Sequence, residues 1–196
     1  ITHQQILEGG VLQFEMVKGK TSVNEPVALT QTKDQAELSR EGKYLFTYSL
    51  HGQTRRFTVN IDSSDKGLTL HWGIERNLKW WQGSYIMSQK ALAQASCLNY
   101  EQPLDRQHIT LGDKELFAIL SQKALDSIKS NGTCVFNNTT FTLVDQLPAT
   151  DTHPSLLHLK DTDEGAEMWV ADDKALPLIW EMKNNPVEIN WKVSVL

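Results

Sequence analysis

Six histidines, His3, His51, His71, His108, His153 and His158, are the side chains of this sequence best suited to moving protons or holding a metal near neutral pH. They are scattered. His71 and Glu75 stand four residues apart, a spacing that on a helix brings an imidazole and a carboxylate together as an acid–base pair. The surrounding residues alternate like a strand, so both are read as sheet-surface residues. The enzymatic alternative is a hydrolase whose site is assembled by folding from dispersed groups such as His71, Glu75 and His158. His153 and His158 flank Pro154–Leu157 near Asp151, a proximity that a loop explains. Asp161 to Gly165, with Glu167 beyond, resembles the opening of an acidic calcium loop, in which alternate oxygens and a glycine wrap a cation. It lacks the closing glutamate of such a loop, and a solvated turn between strands is the simpler reading.

The common catalytic signatures are missing: there is no G-x-S-x-G, no H-E-x-x-H, no Gly-rich phosphate loop and no C-x-x-C. No catalytic residue, metal ligand or cofactor is assigned. The aromatic residues offer more. Trp80 and Trp81, bracketed by Lys79 and Gln82, lie close in sequence to Trp72. Indole rings stack on sugars and grip apolar ligands, so Trp72, Trp80 and Trp81 are the candidate ligand contacts. Neighbours on a strand face opposite ways, and one of Trp80 and Trp81 is expected in the core with the other half exposed.

These groups need a scaffold, and the composition allows one. The chain has 196 residues, 40% of them apolar and 22% charged, which is ordinary for a folded globular protein. No run approaches the ~18 consecutive apolar residues of a membrane-spanning helix. The net charge is −5, from 19 basic and 24 acidic residues without long blocks of one sign, which argues against nucleic acid as a partner. Cys97 and Cys134 are far apart and lack zinc-site spacing; they are either one disulfide or two buried thiols. Ile1 stands where a Met would begin a primary product; either a leader was removed or the chain was trimmed, both of which fit an exported protein, and export is the expectation. Three N-x-[ST] sequons, at Asn131, Asn137 and Asn138, fall in turn-rich sequence.

Period-two alternation predicts the scaffold's strands. Val11–Val17 reads as one. Lys18–Gly42 reads as loop with a short strand near Val27–Leu29. Lys43–Leu50 places Tyr44, Phe46, Tyr48 and Leu50 on one face, Thr54–Ile61 adds Phe57, Val59 and Ile61, and Leu68–Ile74 adds Leu68, Leu70 and Trp72, so a three-stranded meander is expected. The pentapeptide Ser-Gln-Lys-Ala-Leu occurs at 88–92 and again at 121–125, each time behind an apolar pair. Serine is a strong helix N-cap, and Met87 with Leu92, like Leu120 with Leu125, has the spacing of a hydrophobic staple. Short helices are therefore predicted near 89–98 and 122–130, the second stopped by Asn131-Gly132. A continuous helix capped by Asp113 is the competing reading of the second copy. Asn137-Asn138 suits a hairpin turn, and Ser155–Asp161, Glu167–Asp173, Leu176–Lys183 and Glu188–Val195 supply four more strands. The sum is a mostly β, α+β chain, read as a single domain over 1–196, with a curved antiparallel sheet and two short central helices packed against it.

The stretches from Gly67 to Leu92, Leu116 to Val144, Gly165 to Val170 and Asn184 to Val193 resemble exported proteins of unknown function from Bacteroidetes, a similarity that covers most of the chain after Tyr44. The resemblance implies a strand-rich fold and a periplasmic or cell-surface location, and leaves room for a lipid anchor ahead of Ile1. It brings no catalytic residues. The function expected is that of a non-enzymatic envelope protein that binds an apolar, lipid, glycan or protein partner through the tryptophan-bearing sheet, or that serves as a structural module.

Overall fold

The computed structural model describes the backbone of residues 3–7, 10–17 and 20–23 and the whole of residues 44–196. Its contacts divide the chain into two compact units, 1–37 and 38–196, where the sequence suggests one domain. In the first unit, β1 (His3–Leu7), β2 (Gly10–Val17) and β3 (Lys20–Val23) form an antiparallel meander with Phe14 of β2 opposite both His3 and Val23. The strand expected over Val11–Val17 is β2. β3 falls in a stretch read as loop, because its polar residues carry no apolar alternation to announce pairing. The short strand expected at Val27–Leu29 lies outside the described residues.

The second unit is built on one large sheet. β4 (Tyr44–Leu50), β5 (Gln53–Ser64), β6 (Gly67–Arg76) and β7 (Lys79–Ser88) follow one another as antiparallel hairpins. The expected meander thus has four strands. The β6–β7 turn uses Asn77 and Leu78 at φ 53° and 58°, the paired left-handed conformation of a tight two-residue hairpin. After β7 come the helix α1 (Gln89–Gln94) and the short strands β8 (Cys97–Leu98), β9 (His108–Thr110) and β10 (Glu115–Leu116). Helix α2 (Gln122–Asn131) leads into β11 (Thr133–Phe136), β12 (Thr139–Leu147), β13 (Leu156–Asp161), β14 (Glu167–Ala171), β15 (Ile179–Lys183) and β16 (Ile189–Val195).

The eleven strands of the large sheet run in the order β11-β12-β13-β14-β15-β16-β4-β5-β6-β7-β9. Two sequential meanders are therefore joined edge to edge where β16 pairs with β4, Trp191 opposite Tyr48 and Val193 opposite Phe46. Every neighbouring pair is antiparallel except β7 with β9. Phe46, Val59, Leu70, Trp72, Tyr85, Met87, Met168 and Val193 belong to one continuous buried cluster, which the helices join through Ala91 of α1 and Ala124, Leu125 and Ile128 of α2. Apolar residues at every second position of a strand and every third or fourth of a helix are what that shared burial requires.

The two pentapeptide copies do the same thing. Ser88 accepts a hydrogen bond from the backbone N–H of Ala91 at 3.1 Å, and Ser121 accepts one from Ala124 at 3.3 Å. Both serines have the extended backbone of an N-cap, and Gly132 closes α2 at φ 72°. The first helix stops at Gln94, short of the expected 98. Ala95 still bonds back to Ala91, but Ser96 and Cys97 turn their N–H groups to the carbonyl of Lys114, and β8 pairs in parallel with β10. That pairing also decides the second copy, since Glu115–Leu116 is strand and not helix. Asp113 caps nothing of its own; it accepts from the Ser88 hydroxyl at 3.1 Å and from the Lys90 ammonium at 2.8 Å, and these contacts hold its carboxyl below its usual pKa. Ser121 is 1% exposed, so Ser121→Ala strands the Ala124 N–H away from water. We expect it to lower unfolding stability by about 1 kcal/mol, read from urea denaturation.

Candidate functional site

Register fixes which aromatic residues share a face. Val59 on β5 stands opposite Trp72 on β6, and Trp72 stands opposite Gly83 on β7; two residues nearer the hairpin tip, Ile74 is opposite Trp81. The same face continues through β4 to Trp191 on β16, by way of Tyr48. Tyr48, Val59, Trp72, Ile74, Trp81 and Trp191 line a cavity of about 100 Å³, to which the segment Leu98–Pro103 with Phe117 and Ala118 adds a second wall. The rings fit edge to face: Tyr48 to Phe57 at 5.5 Å and Phe57 to Trp72 at 6.0 Å, while Tyr85 stacks on Phe117 at 3.9 Å. Such geometry follows from the ring quadrupole and leaves an apolar interior.

The covering segment is tied down by polar bonds. The Tyr85 hydroxyl donates to the carbonyl of Glu101 at 2.6 Å. The Tyr100 hydroxyl accepts from the side-chain amides of Asn185 at 2.9 Å and Asn137 at 3.1 Å, and Asn137 in turn accepts from the Leu98 N–H at 2.6 Å. Burial raises the pKa of Tyr48, Tyr85 and Tyr100; the Glu101 charge adds to the rise at Tyr85, and the two asparagine amides offset part of it at Tyr100. Of the expected sequons, Asn137 is thus a structural link whose amide is already engaged. With Asn138 it also forms the β11–β12 turn, at φ 54° and 60°.

Trp72, Trp80 and Trp81 are not grouped together. Trp72 is buried at 3% exposure and Trp81 half-buried, and both line the cavity. Trp80 is also half-buried, yet it stands on the opposite face, packed flat over Gly73, where an added Cβ would lie 2.3 Å from its ring. Neither Trp80 nor Trp81 is a core residue. Among the described residues the buried indole N–H groups of Trp72 and Trp80 have no acceptor, whereas that of Trp191 donates to Ile179 at 2.9 Å.

The dispersed acid–base groups are not brought together either. His71 pairs with Asp62 at 3.1 Å, while His158 pairs with Glu167 at 2.8 Å and stacks on Trp169 at 4.2 Å. Five strands stand between β6 and β13 in the sheet. Glu75 is exposed, opposite Trp80. His108 meets the hydroxyl of Ser84 at 2.8 Å, but Ser84 is 1% exposed and closed to a substrate. The acidic turn is structural: both oxygens of buried Asp161 accept backbone N–H groups, from Asp163 and Glu164, each at 2.9 Å. No group of three His, Cys, Asp or Glu is placed to hold a metal among the described residues. Cys97 and Cys134 are free thiols, and burial pushes that of Cys134 up to about 12.

Tyr48, Phe57, Tyr85, Tyr100 and Phe117 went unmarked in the sequence as ligand contacts. The signal for two of them was present, because the alternation that places Trp72 inward also places Phe57 and Tyr48 inward. Tyr100 and Phe117 come from irregular segments that carry no such period.

Protein-family models give no match to this chain, and neither curated proteins nor solved structures yield a relative. The class that the fold defines is that of a mostly β protein with a large, largely antiparallel sheet. No helix among the described residues is long and apolar enough to cross a membrane.

Proposed function

We propose that the chain is a non-enzymatic binding module for an apolar ligand, acting as an exported protein in the periplasm or at the cell surface. The location rests on the resemblance carried by the sequence. The binding reading takes the large sheet as curved around the cavity, with both helices packed against it. The observation that carries it is the aromatic cavity between the sheet and the Leu98–Pro103 segment. Its volume of about 100 Å³ is below the ~150 Å³ of an apolar cavity that admits benzene and well below the ~300–1,000 Å³ of pockets for drug-sized ligands. The end of an alkyl chain fits that space; a sugar, with hydroxyls to satisfy, is poorly served by walls of Phe57, Trp72, Ile74 and Trp81. Lipid is therefore favoured over glycan among the partners expected.

Adjacent tryptophans on opposite faces give the test an internal control. Titration with medium-chain alcohols, followed by tryptophan fluorescence, is expected to saturate in the intact protein. Trp81→Ala is expected to weaken binding about tenfold, the loss from deleting one well-packed aromatic contact, while Trp80→Ala leaves the affinity unchanged. Equal losses in both variants, or no saturable binding, would remove the support for the cavity as the site.

A further inference from the structure

We infer that the ligand is a single-chain amphiphile with an anionic head, held at the cavity mouth by Arg55 and Arg76. The inference rests on the apolar-ligand reading and adds the chemistry of the head. Arg55 and Arg76 both line the otherwise apolar cavity. The register of β5 and β6, with Thr58 opposite Gly73, carries them to the same end of it. Among the described residues neither has a carboxylate within ion-pair distance, although Lys90, Lys129 and Lys160 elsewhere on the unit do. Arg55 instead donates to the amide oxygens of Gln102 at 3.2 Å and Gln53 at 3.5 Å, which hold its guanidinium without neutralising it. Arg76 lies over the Trp81 ring at 4.9 Å from the centroid, so one wall residue anchors the cation and faces the cavity together.

Among the described residues the one acidic side chain in the lining is that of Glu101, on the covering segment. Against it stand two guanidinium groups, with Lys79 opposite Arg76 across the β6–β7 hairpin. The local balance is positive in a protein whose net charge is −5. Two planar donor forks at the opening of an apolar cavity match a carboxylate or phosphate, which a fork binds in bidentate fashion, better than an ammonium or a neutral head. The narrow interior limits the hydrophobic part to one chain. Leu78, at the tip of the same hairpin between Arg76 and Lys79, is 94% exposed.

The test compares probes of one chain length at about pH 8, where a carboxylate is ionised and arginine stays charged. Hexanoate is expected to bind at least about tenfold tighter than hexanol, a gain of about 1.4 kcal/mol. That preference is expected to shrink in about 0.5 M salt, which screens exposed charge. Arg55→Gln combined with Arg76→Gln should erase it, and Arg55→Lys with Arg76→Lys should keep only part, because an ammonium preserves charge but not the fork. Hexyl phosphate is the second anionic arm, and the tighter of the two anions identifies the head. Equal binding of hexanol and hexanoate, or a preference that survives the double glutamine variant, overturns the inference while leaving the apolar site standing. Failure of every probe overturns both.

Discussion

Unfolding between about pH 9 and about pH 12 is the largest response expected of this protein to a change of solution. The lower bound is where free thiols begin to ionise in an unfolded chain, and the upper is where Cys134 ionises in the folded one. Burial keeps the thiol of Cys134 and the phenols of Tyr48, Tyr85 and Tyr100 protonated above their ordinary values. Below those ordinary values both states hold the same protons, and the stability that neutral burial provides is fully present. As the pH rises past about 8.5 for the thiol and about 10 for the phenols, the unfolded chain loses protons that the folded chain retains. Stability then falls by about 1.4 kcal/mol per pH unit for each such group, with the steepest loss once all the phenols take part. Urea denaturation at successive pH values measures the slope. Cys134→Ala removes the earliest group, so the loss between about pH 9 and about pH 10 should flatten in that variant. A stability that stays constant to about pH 11 would show that these side chains reach water in the folded state.

Gly83→Ala is expected to be among the most damaging substitutions on the sheet, alongside Gly67→Ala, whose Cβ would lie 2.0 Å from the Met87 carbonyl oxygen. A Cβ at Gly83 would sit 2.3 Å from the carbonyl oxygen of Gln107 and 2.6 Å from the ring of Trp72. Neither neighbour is free to retreat. The Gln107 carbonyl accepts the Ser84 N–H at 3.1 Å at the entry to the parallel β7–β9 pairing, and Trp72 is buried between Phe57 and the cavity. Relief requires breaking that bond or turning the indole, and a loss of about 3 kcal/mol follows, at the upper end of what overpacking costs. The urea midpoint reads it. Gly112→Ala is the matched control, because its nearest neighbour is the Glu115 carboxylate at 3.6 Å, and it should change stability by less than about 0.5 kcal/mol. Under the proposed function the Gly83 variant should also weaken apolar-ligand binding, since its Cβ presses on Trp72, which lines the cavity.

Much of the scaffold was legible because its determinants are local. Alternation in Tyr44–Leu50 and Gln53–Ser64, the serine caps, the Gly132 stop and the Asn137-Asn138 turn are each set by a few neighbouring residues, and each is found in the structure. The early end of α1 was hidden, because what unwinds it is the carbonyl of Lys114, a residue distant in sequence. Which of Trp80 and Trp81 turns toward Trp72 was hidden for a related reason. Reading Asn77-Leu78 as the hairpin turn makes Ile74 face Trp81 and so sends Trp80 to the other side, but that turn lacks the glycine that usually marks one. Arg55 and Arg76 look like ordinary surface cations until the pairing of β5 with β6 places both at one opening.

The seam between β16 and β4 has a kinetic consequence. Strands separated by most of the unit must meet before Trp191 can reach Tyr48, so that contact closes a very long loop and costs entropy that no local turn refunds. Folding of this unit is accordingly slow by the standards of helical domains. Until the seam zips, β4 presents a bare edge to other chains.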